Sequence, residues 1–406
     1  MNNNIDNVLK LKKEKHDLGI YIHIPFCVRK CNYCDFLSFH GNHRLKKEYI
    51  QALIKEIQSY KDYKEEYKVR TIFIGGGTPS VIDADDILSI MHTLKETFHI
   101  EEDSLKEVTI ECNPGTLTYE KLLTYKMAGI NRLSIGLQSA NEEELKTLGR
   151  IHNFNDFVGN YNLAREVGFH NINIDLMSSL PGQTLDSWID TLEKVIALKP
   201  EHISAYSLII EEGTEFFSIY GEGNPKIEPG SMSNVKLLPD EETDRQMYYK
   251  TKEILESHGY KRYEISNYKK PGFECIHNSS YWKRTPYLGI GLGASSLIHN
   301  KRFHNLTEIG EYIKNSYAPE KIRREVEELN TNQQIEEFMF LGLRMNQGIS
   351  RKEFMNQFQI DIHEIYGQVL LQLVDEKLLT IKEDQICLTD QGIDLSNYVL
   401  AQFLLD

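Results

Sequence analysis

Short runs rich in β-branched residues recur along the first half of the chain, at 19–24, 71–74, 108–110, 132–135, 171–176 and 202–208. Longer segments between them carry apolar residues at helical spacing. In 45–60, Leu45, Tyr49, Ala52, Leu53 and Ile57 line one face, and 84–98, 142–148, 156–167 and 185–198 repeat the pattern. Strands separated by helices run parallel, so six such units predict an α/β fold, a partial (β/α)6 barrel. An open doubly wound sheet is the competitor. From about 330 the rhythm changes: helices are expected at 334–343, 350–358 and 362–376, then short strands at 379–381 and 385–388 and a last helix from Asp390. That order is winged-helix-like. The expected organisation is therefore a flexible extension at 1–17, a barrel core at 18–220, additional α/β elements at 221–329 that include a Pro/Gly-containing insertion at 222–239, and a C-terminal domain at 330–406.

In either sheet architecture ligands bind at the carboxyl ends of the strands. The unusual residues gather there. The first strand runs into Cys27, Cys31 and Cys34, the second into Gly75-Gly76-Gly77-Thr78, the third into Glu111-Cys112-Asn113, the fourth into Gly136-Leu137-Gln138 and the fifth into Asp175-Leu176-Met177. Glycines let backbone amides approach a ligand, or they only make a sharp turn. Glu111 and Asp175 are costly charges at the ends of buried strands unless a polar ligand or an Arg such as Arg150 partners them, and a structural ion pair is the alternative for both. Cys112 reads as a buried apolar thiol.

Three thiols spaced by three and then two residues can surround one inorganic cluster from a single loop, leaving a fourth iron without a protein ligand. Zinc is the rival reading; it asks for a fourth Cys or His, for which His40 is the nearest candidate. Dispersed structural thiols fit less well beside Arg29, Lys30, Asn32 and Asp35.

The 406 residues, 40% hydrophobic and 26% charged, are enough for a substantial core and more than one domain. A net charge of −14 argues against a nucleic-acid partner. From Asn330 onward five basic residues face twelve acidic ones, which favours a lid or partner surface over a DNA reader. The first seventeen residues lack the apolar run of a secretory signal, and no stretch is long and uncharged enough to be a transmembrane segment. The reading is a cytoplasmic protein with reduced thiols.

Several runs together carry a resemblance: Tyr21-Ile-His-Ile-Pro-Phe-Cys27, the three-cysteine loop, Gly75-Gly-Gly-Thr-Pro79, Glu111-Cys-Asn-Pro-Gly-Thr116, Ser134-Ile-Gly-Leu-Gln-Ser139, Leu148-Gly-Arg150, Asp175-Leu-Met177 and Leu180-Pro-Gly-Gln183. The chain resembles the radical S-adenosylmethionine (SAM) superfamily and, within it, the coproporphyrinogen dehydrogenase group and the HemW-type haem chaperones. The resemblance implies that Cys27, Cys31 and Cys34 ligate a [4Fe-4S] cluster whose open iron is chelated by SAM. It matches Tyr21, Phe36, Gly76, Gly77, Thr78, Glu111, Gln138, Arg150, Asp175 and Ile209 to SAM-contacting positions. In that superfamily the reduced cluster cleaves SAM to a 5′-deoxyadenosyl radical, so the cofactors carry the chemistry. The porphyrinogen dehydrogenases have a further Cys two residues after the third ligand; this chain has Phe36 there, which puts decarboxylation in doubt.

The run His277-Asn278-Ser-Ser-Tyr281-Trp282 is similar to the haem-binding signature of the HemW-type chaperones. The resemblance gives His277, Asn278, Tyr281 and Trp282 to haem, with Lys283 and Arg284 meeting its propionates. From residue types alone His277 is a satisfied structural histidine, and Cys275 a buried thiol. The implied function is transfer of haem to an acceptor protein, a respiratory membrane enzyme being one candidate, with peripheral membrane contact during delivery. Radical chemistry on coproporphyrinogen III or another tetrapyrrole is the alternative.

Overall fold

The computed structural model describes residues 15–221 and 235–405. Of the expected extension at 1–17, residues 1–14 lie outside the described residues, as does most of the insertion at 222–239; the first strand already begins at His16. From β1 (His16–Ile24) the chain passes through the cysteine loop into α1 (His43–Ser59). There follow β2 (Tyr67–Gly76), α2 (Ala84–Phe98), β3 (Glu107–Cys112), α3 (Tyr119–Ala128), β4 (Arg132–Gln138), α4 (Glu142–Thr147), α5 (Phe154–Glu166), β5 (Ile172–Ser178), α6 (Leu185–Ala197) and β6 (His202–Ser207).

These six strands pair in parallel and in chain order. A doubly wound sheet reverses its order midway; this one does not, so the barrel arrangement is the one adopted. Alternation explains its two faces. Ile20, Ile22, Ile72, Ile74, Ile110, Leu133, Ile135, Ile172 and Ile174 are fully buried in the core they share with the helices. The intervening positions are polar or aromatic: Tyr21, Thr71, Phe73, Glu111, Ser134, Asn173, Asp175 and Ser204 line the inner face. That face is a hydrogen-bonding surface rather than an oily core.

The barrel stays open because other strands occupy both edges. After α7 (Glu215–Tyr220) and α8 (Glu241–Ser257), β7 (Lys261–Arg262) and β8 (Asn267–Lys269) extend the β6 edge antiparallel. A short helix, α9 (Ile276–Trp282), precedes β9 (Tyr287–Ile290), which pairs parallel to β1. Then β10 (Ser295–Ile298), β11 (Lys301–Asn305), α10 (Ile309–Asn315), α11 (Pro319–Ile322) and β12 (Arg323–Glu328) complete a twelve-stranded sheet.

The remaining elements are α12 (Thr331–Gly342), β13 (Ile349–Ser350), α13 (Arg351–Phe358), α14 (Ile362–Asp375), β14 (Leu379–Lys382), β15 (Gln385–Leu388), α15 (Asp390–Asp394) and α16 (Ser396–Ala401). They enclose a separate core around Met339, Phe354, Leu373, Ile386 and Phe403. Glu337 on α12 ties this domain to the barrel: its carboxylate accepts from Arg284 at 2.8 Å and Arg302 at 2.5 Å, with Glu337 and Arg284 each only 5% exposed. Truncating one partner of a buried ion pair strands the other charge. Glu337→Ala should therefore lower stability in urea unfolding by about 3 kcal/mol and make the C-terminal domain the first part cut in limited proteolysis. An unchanged midpoint and cleavage pattern would show that the contact does not hold the domains together.

Candidate metal and cofactor centre

The cysteine loop is pinned on three sides. Gly77 and Thr78 at the end of β2 donate backbone bonds to Ile24 O (2.9 Å) and Phe26 O (2.8 Å), and Cys27 N donates to Phe39 O at 3.0 Å. Asn32 donates through its backbone to Leu148 O and through its amide to Thr147 O, both at 3.0 Å, while Phe216 N at the start of α7 donates to Asn32 O at 2.9 Å. A side chain at Gly77 would stand 2.8 Å from Phe26 O and 3.0 Å from Cys27 Sγ, so this glycine is where β2 closes on the loop.

Cys27, Cys31 and Cys34 are free and half-buried. Burial pushes the Cys34 thiol up to about 11. Among the described residues no three His, Cys, Asp or Glu side chains converge on one ion-sized point. A four-iron cluster takes each thiolate on a separate iron, and three half-buried thiols spread along one anchored loop suit it.

Beneath the loop lie the predicted strand-end residues. The Thr78 hydroxyl is 3.5 Å from Cys27 Sγ and accepts from Asn113 Nδ2 at 2.8 Å. Arg150 donates to Asn113 Oδ1 (2.9 Å) and Gly136 O (2.5 Å), and its other terminal nitrogen lies 3.7 Å from Cys31 Sγ. Glu111 accepts from Gly76 N at 3.0 Å; Asp175 accepts from Ser134 at 3.0 Å and Asn173 at 2.8 Å. Arg150 thus serves neither carboxylate. Burial first and Asp175 second push Glu111 up to about 8, and burial also raises Asp175. Two neighbouring half-buried carboxylates without a directly bonded cation form a pocket that favours a positively charged ligand group.

Gln138, at a φ of +71°, accepts from Tyr206 at 3.2 Å. Tyr21 lies over Phe73 with ring centroids 6.3 Å apart. Phe36 and Ile209 stand outside this network, 61% and 68% exposed. Sequence reasoning passed over Asn113, which joins Thr78 to Arg150, and Tyr206, although Asn113 lies inside a run already singled out.

The His277 run is at the opposite pole. Gly19 pairs with Thr71 midway along β1 and β2, at the level where β3 begins, five residues and about 17 Å before Ile24 at ~3.3 Å per residue. His277 Nδ1 lies 2.8 Å from the Thr71 hydroxyl and Nε2 2.8 Å from that of Tyr281, and Phe73 stacks on the ring at 5.3 Å. The residue is 1% exposed, and burial with Arg132 nearby pulls its imidazole down to about 3. Neutral and bonded at both nitrogens, it has the arrangement of a structural histidine. Arg284 is taken by Glu337, contrary to the expectation that it meets a propionate. Asn278 is half-buried, and Trp282 stacks under Arg344 at 4.5 Å.

Comparison with known proteins agrees with this geometry. The radical SAM superfamily model matches residues 21–195, and the HemN C-terminal domain model matches 329–395. Curated relatives named "Heme chaperone HemW" include one from Lactococcus lactis, 38% identical over 95% of this chain and 97% of that protein, and one from Bacillus subtilis, 36% identical over 95% and 98%. The chain belongs to the HemW family of radical SAM proteins. In fold it resembles the solved coproporphyrinogen III oxidase HemN from Escherichia coli, with a TM-score of 0.81 and 24% identity over 96% of this chain and 90% of that one. Among the described residues no helix is long and apolar enough to cross a membrane.

The raised Glu111 gives a pH signature with a definite sign. Its folded value of about 8 exceeds the ordinary 4.5, so between these values the folded protein keeps a proton that the unfolded chain has released. The contribution is complete below the lower value and is lost as pH rises through the upper one. Glu111→Gln, a permanent mimic of the protonated acid, should flatten the fall in melting temperature between about pH 5 and 8.5. A profile matching that of the parent would rule out a protonated Glu111.

Proposed function

We propose that this protein is a haem chaperone that holds a [4Fe-4S] cluster on Cys27, Cys31 and Cys34, binds SAM beside it and passes haem to an acceptor protein. The observation that carries the reading is similarity over nearly the full length to curated haem chaperones. Phe36 at the position of the dehydrogenases' extra cysteine supports transfer over porphyrinogen decarboxylation.

A cluster with SAM on its open iron supplies one-electron chemistry when bound. The residues of the chain orient and shield that pair. Thr78 and Arg150 stand next to Cys27 and Cys31, where an N–H or O–H donor stabilises thiolate sulfur. Gly76, Gly77 and Thr78 would border the polar end of SAM's methionine moiety. Glu111 and Asp175 attract its cationic and hydroxyl groups, and a cation there would draw the proton from Glu111. Tyr21 and Gln138 complete the inner wall, and the exposed Phe36 and Ile209 become its outer rim. Haem is held by the His277 to Trp282 segment at the far pole.

Two measurements test this. Replacing Cys27, Cys31 and Cys34 together by Ser should abolish the broad visible absorption that anaerobic iron and sulfide reconstitution produces; a full cluster in the triple variant would remove the basis of the assignment. The reconstituted parent should take up haem and release it to an apo acceptor while leaving coproporphyrinogen III unchanged. Stoichiometric decarboxylation of the porphyrinogen would instead make the protein an oxidase.

A further inference from the structure

The amino pole of the barrel holds a cavity of about 570 Å³ between the strand starts, α9 and the 345–347 segment of the C-terminal domain. This volume suits a medium-sized organic ligand. Its walls are cationic in a chain whose net charge is −14. Part of that charge is already neutralised: Arg70 pairs with Asp17 and Lys269 with Glu274, both at 2.8 Å. Lys106, Lys261 and Lys283 are different. All three are exposed lining residues with no hydrogen-bond or ion-pair partner among the described residues, and Lys283 adds its field to that of Lys269 at Glu274. Three uncommitted ammonium groups from β3's approach, β7 and the end of α9 converge on one concavity.

Its floor is less polar. Leu18, Ile276 and Met345 are apolar residues of its lining. Beyond Lys283 and Met345, which line both spaces, a second cavity of about 510 Å³ continues along Trp282 and Phe338. A groove with cations in one half and aromatic surface in the other matches a flat apolar ring system bearing carboxylates along one edge. A small inorganic anion would use only the first half.

We infer that the dicarboxylate tetrapyrrole docks in this groove between barrel floor and C-terminal domain, its carboxylates on Lys106, Lys261 and Lys283 and its ring toward Trp282 and Phe338. The inference rests on the haem reading above and adds the groove, the lysines and the participation of the C-terminal domain. It places haem at the pole remote from the cysteine loop, with Trp282 as the residue of its run that meets the ligand.

The test is haem titration of the full-length chain, followed by the Soret band, with haem dimethyl ester and inorganic phosphate as companion probes. Parent protein should bind the diacid at least tenfold more tightly than the diester, and phosphate should compete only weakly. Lys106→Glu/Lys261→Glu/Lys283→Glu should lose tenfold or more in haem affinity and erase the preference over the ester. The pair Arg29→Glu/Lys30→Glu at the cysteine pole should leave both unchanged. Circular dichroism checks folding, and the three Lys→Gln changes replace the reversals if those impair it. Haem affinity unaltered in the triple variant, or lost in the Arg29/Lys30 pair, overturns the location while the chaperone reading stands. A parent protein that binds no haem overturns that reading and this inference together.

Discussion

One buried carboxylate closes the floor of the barrel. Glu107, the first residue of β3, accepts from the backbone of Ile276 at 2.7 Å and of His277 at 3.3 Å, and from the Cys275 thiol and the Thr109 hydroxyl at 3.3 and 3.2 Å. Hydrogen bonds to a buried charge are worth about 1.5–3 kcal/mol each, and here they fix α9 across the strand starts. Without that plug, Thr71, Arg132 and His202 would face water at one end of the inner wall. The opposite end can then stay open, because the polar interior needs only one mouth through which to receive a ligand.

The same closure reaches Asp175 through a chain of hydrogen bonds. Cys275 N donates to the Tyr263 hydroxyl at 3.3 Å, which pairs with His202 Nε2 at 2.9 Å; His202 Nδ1 lies 2.6 Å from Asn173 Oδ1, and Asn173 Nδ2 donates to Asp175 at 2.8 Å. Burial, with Arg132 second, holds His202 neutral. A neutral imidazole donates from one nitrogen only. Donation to Asn173 makes Nε2 the acceptor from Tyr263, so every bond in the chain has one direction. Asp175 is thereby oriented by residues whose far end is the plug helix, and the amide of Asn173 cannot turn to offer its oxygen instead.

How much of this was legible in the sequence depended on how far each feature relies on neighbours in the chain. The six parallel strands announce themselves by the buried β-branched and leucine positions they share, and the cysteines and glycines because their spacing is itself the signal. Strand β12, Arg-Arg-Glu-Val-Glu-Glu, gives no such sign: it is an exposed edge whose one apolar residue, Val326, is 58% exposed. Helix α3 escaped notice because Tyr119, Leu123 and Met127 are apolar yet exposed, which blurs its periodicity. Asn113 and Tyr206 gain their roles only through partners 35 and 68 residues away.

In the His-Asn-x-x-Tyr-Trp run, His277 has the arrangement that residue types alone give it, that of a satisfied structural histidine. A seven-residue helix crossing the barrel floor must turn one face inward. On that face His277 fills the gap between Thr71, Phe73 and Tyr281, and Tyr281 packs edge-on against Tyr287 with centroids 4.7 Å apart. Iron ligation through either nitrogen of His277 in this conformation would displace the hydroxyl bonded there, a hydrogen bond worth roughly 1 kcal/mol, at a side chain the floor uses as packing. Trp282, one residue beyond Tyr281, is half-buried, below Arg344, and lines the second cavity with Lys283. Within the run, the imidazole and phenol pack into the floor, and the indole lines the second cavity.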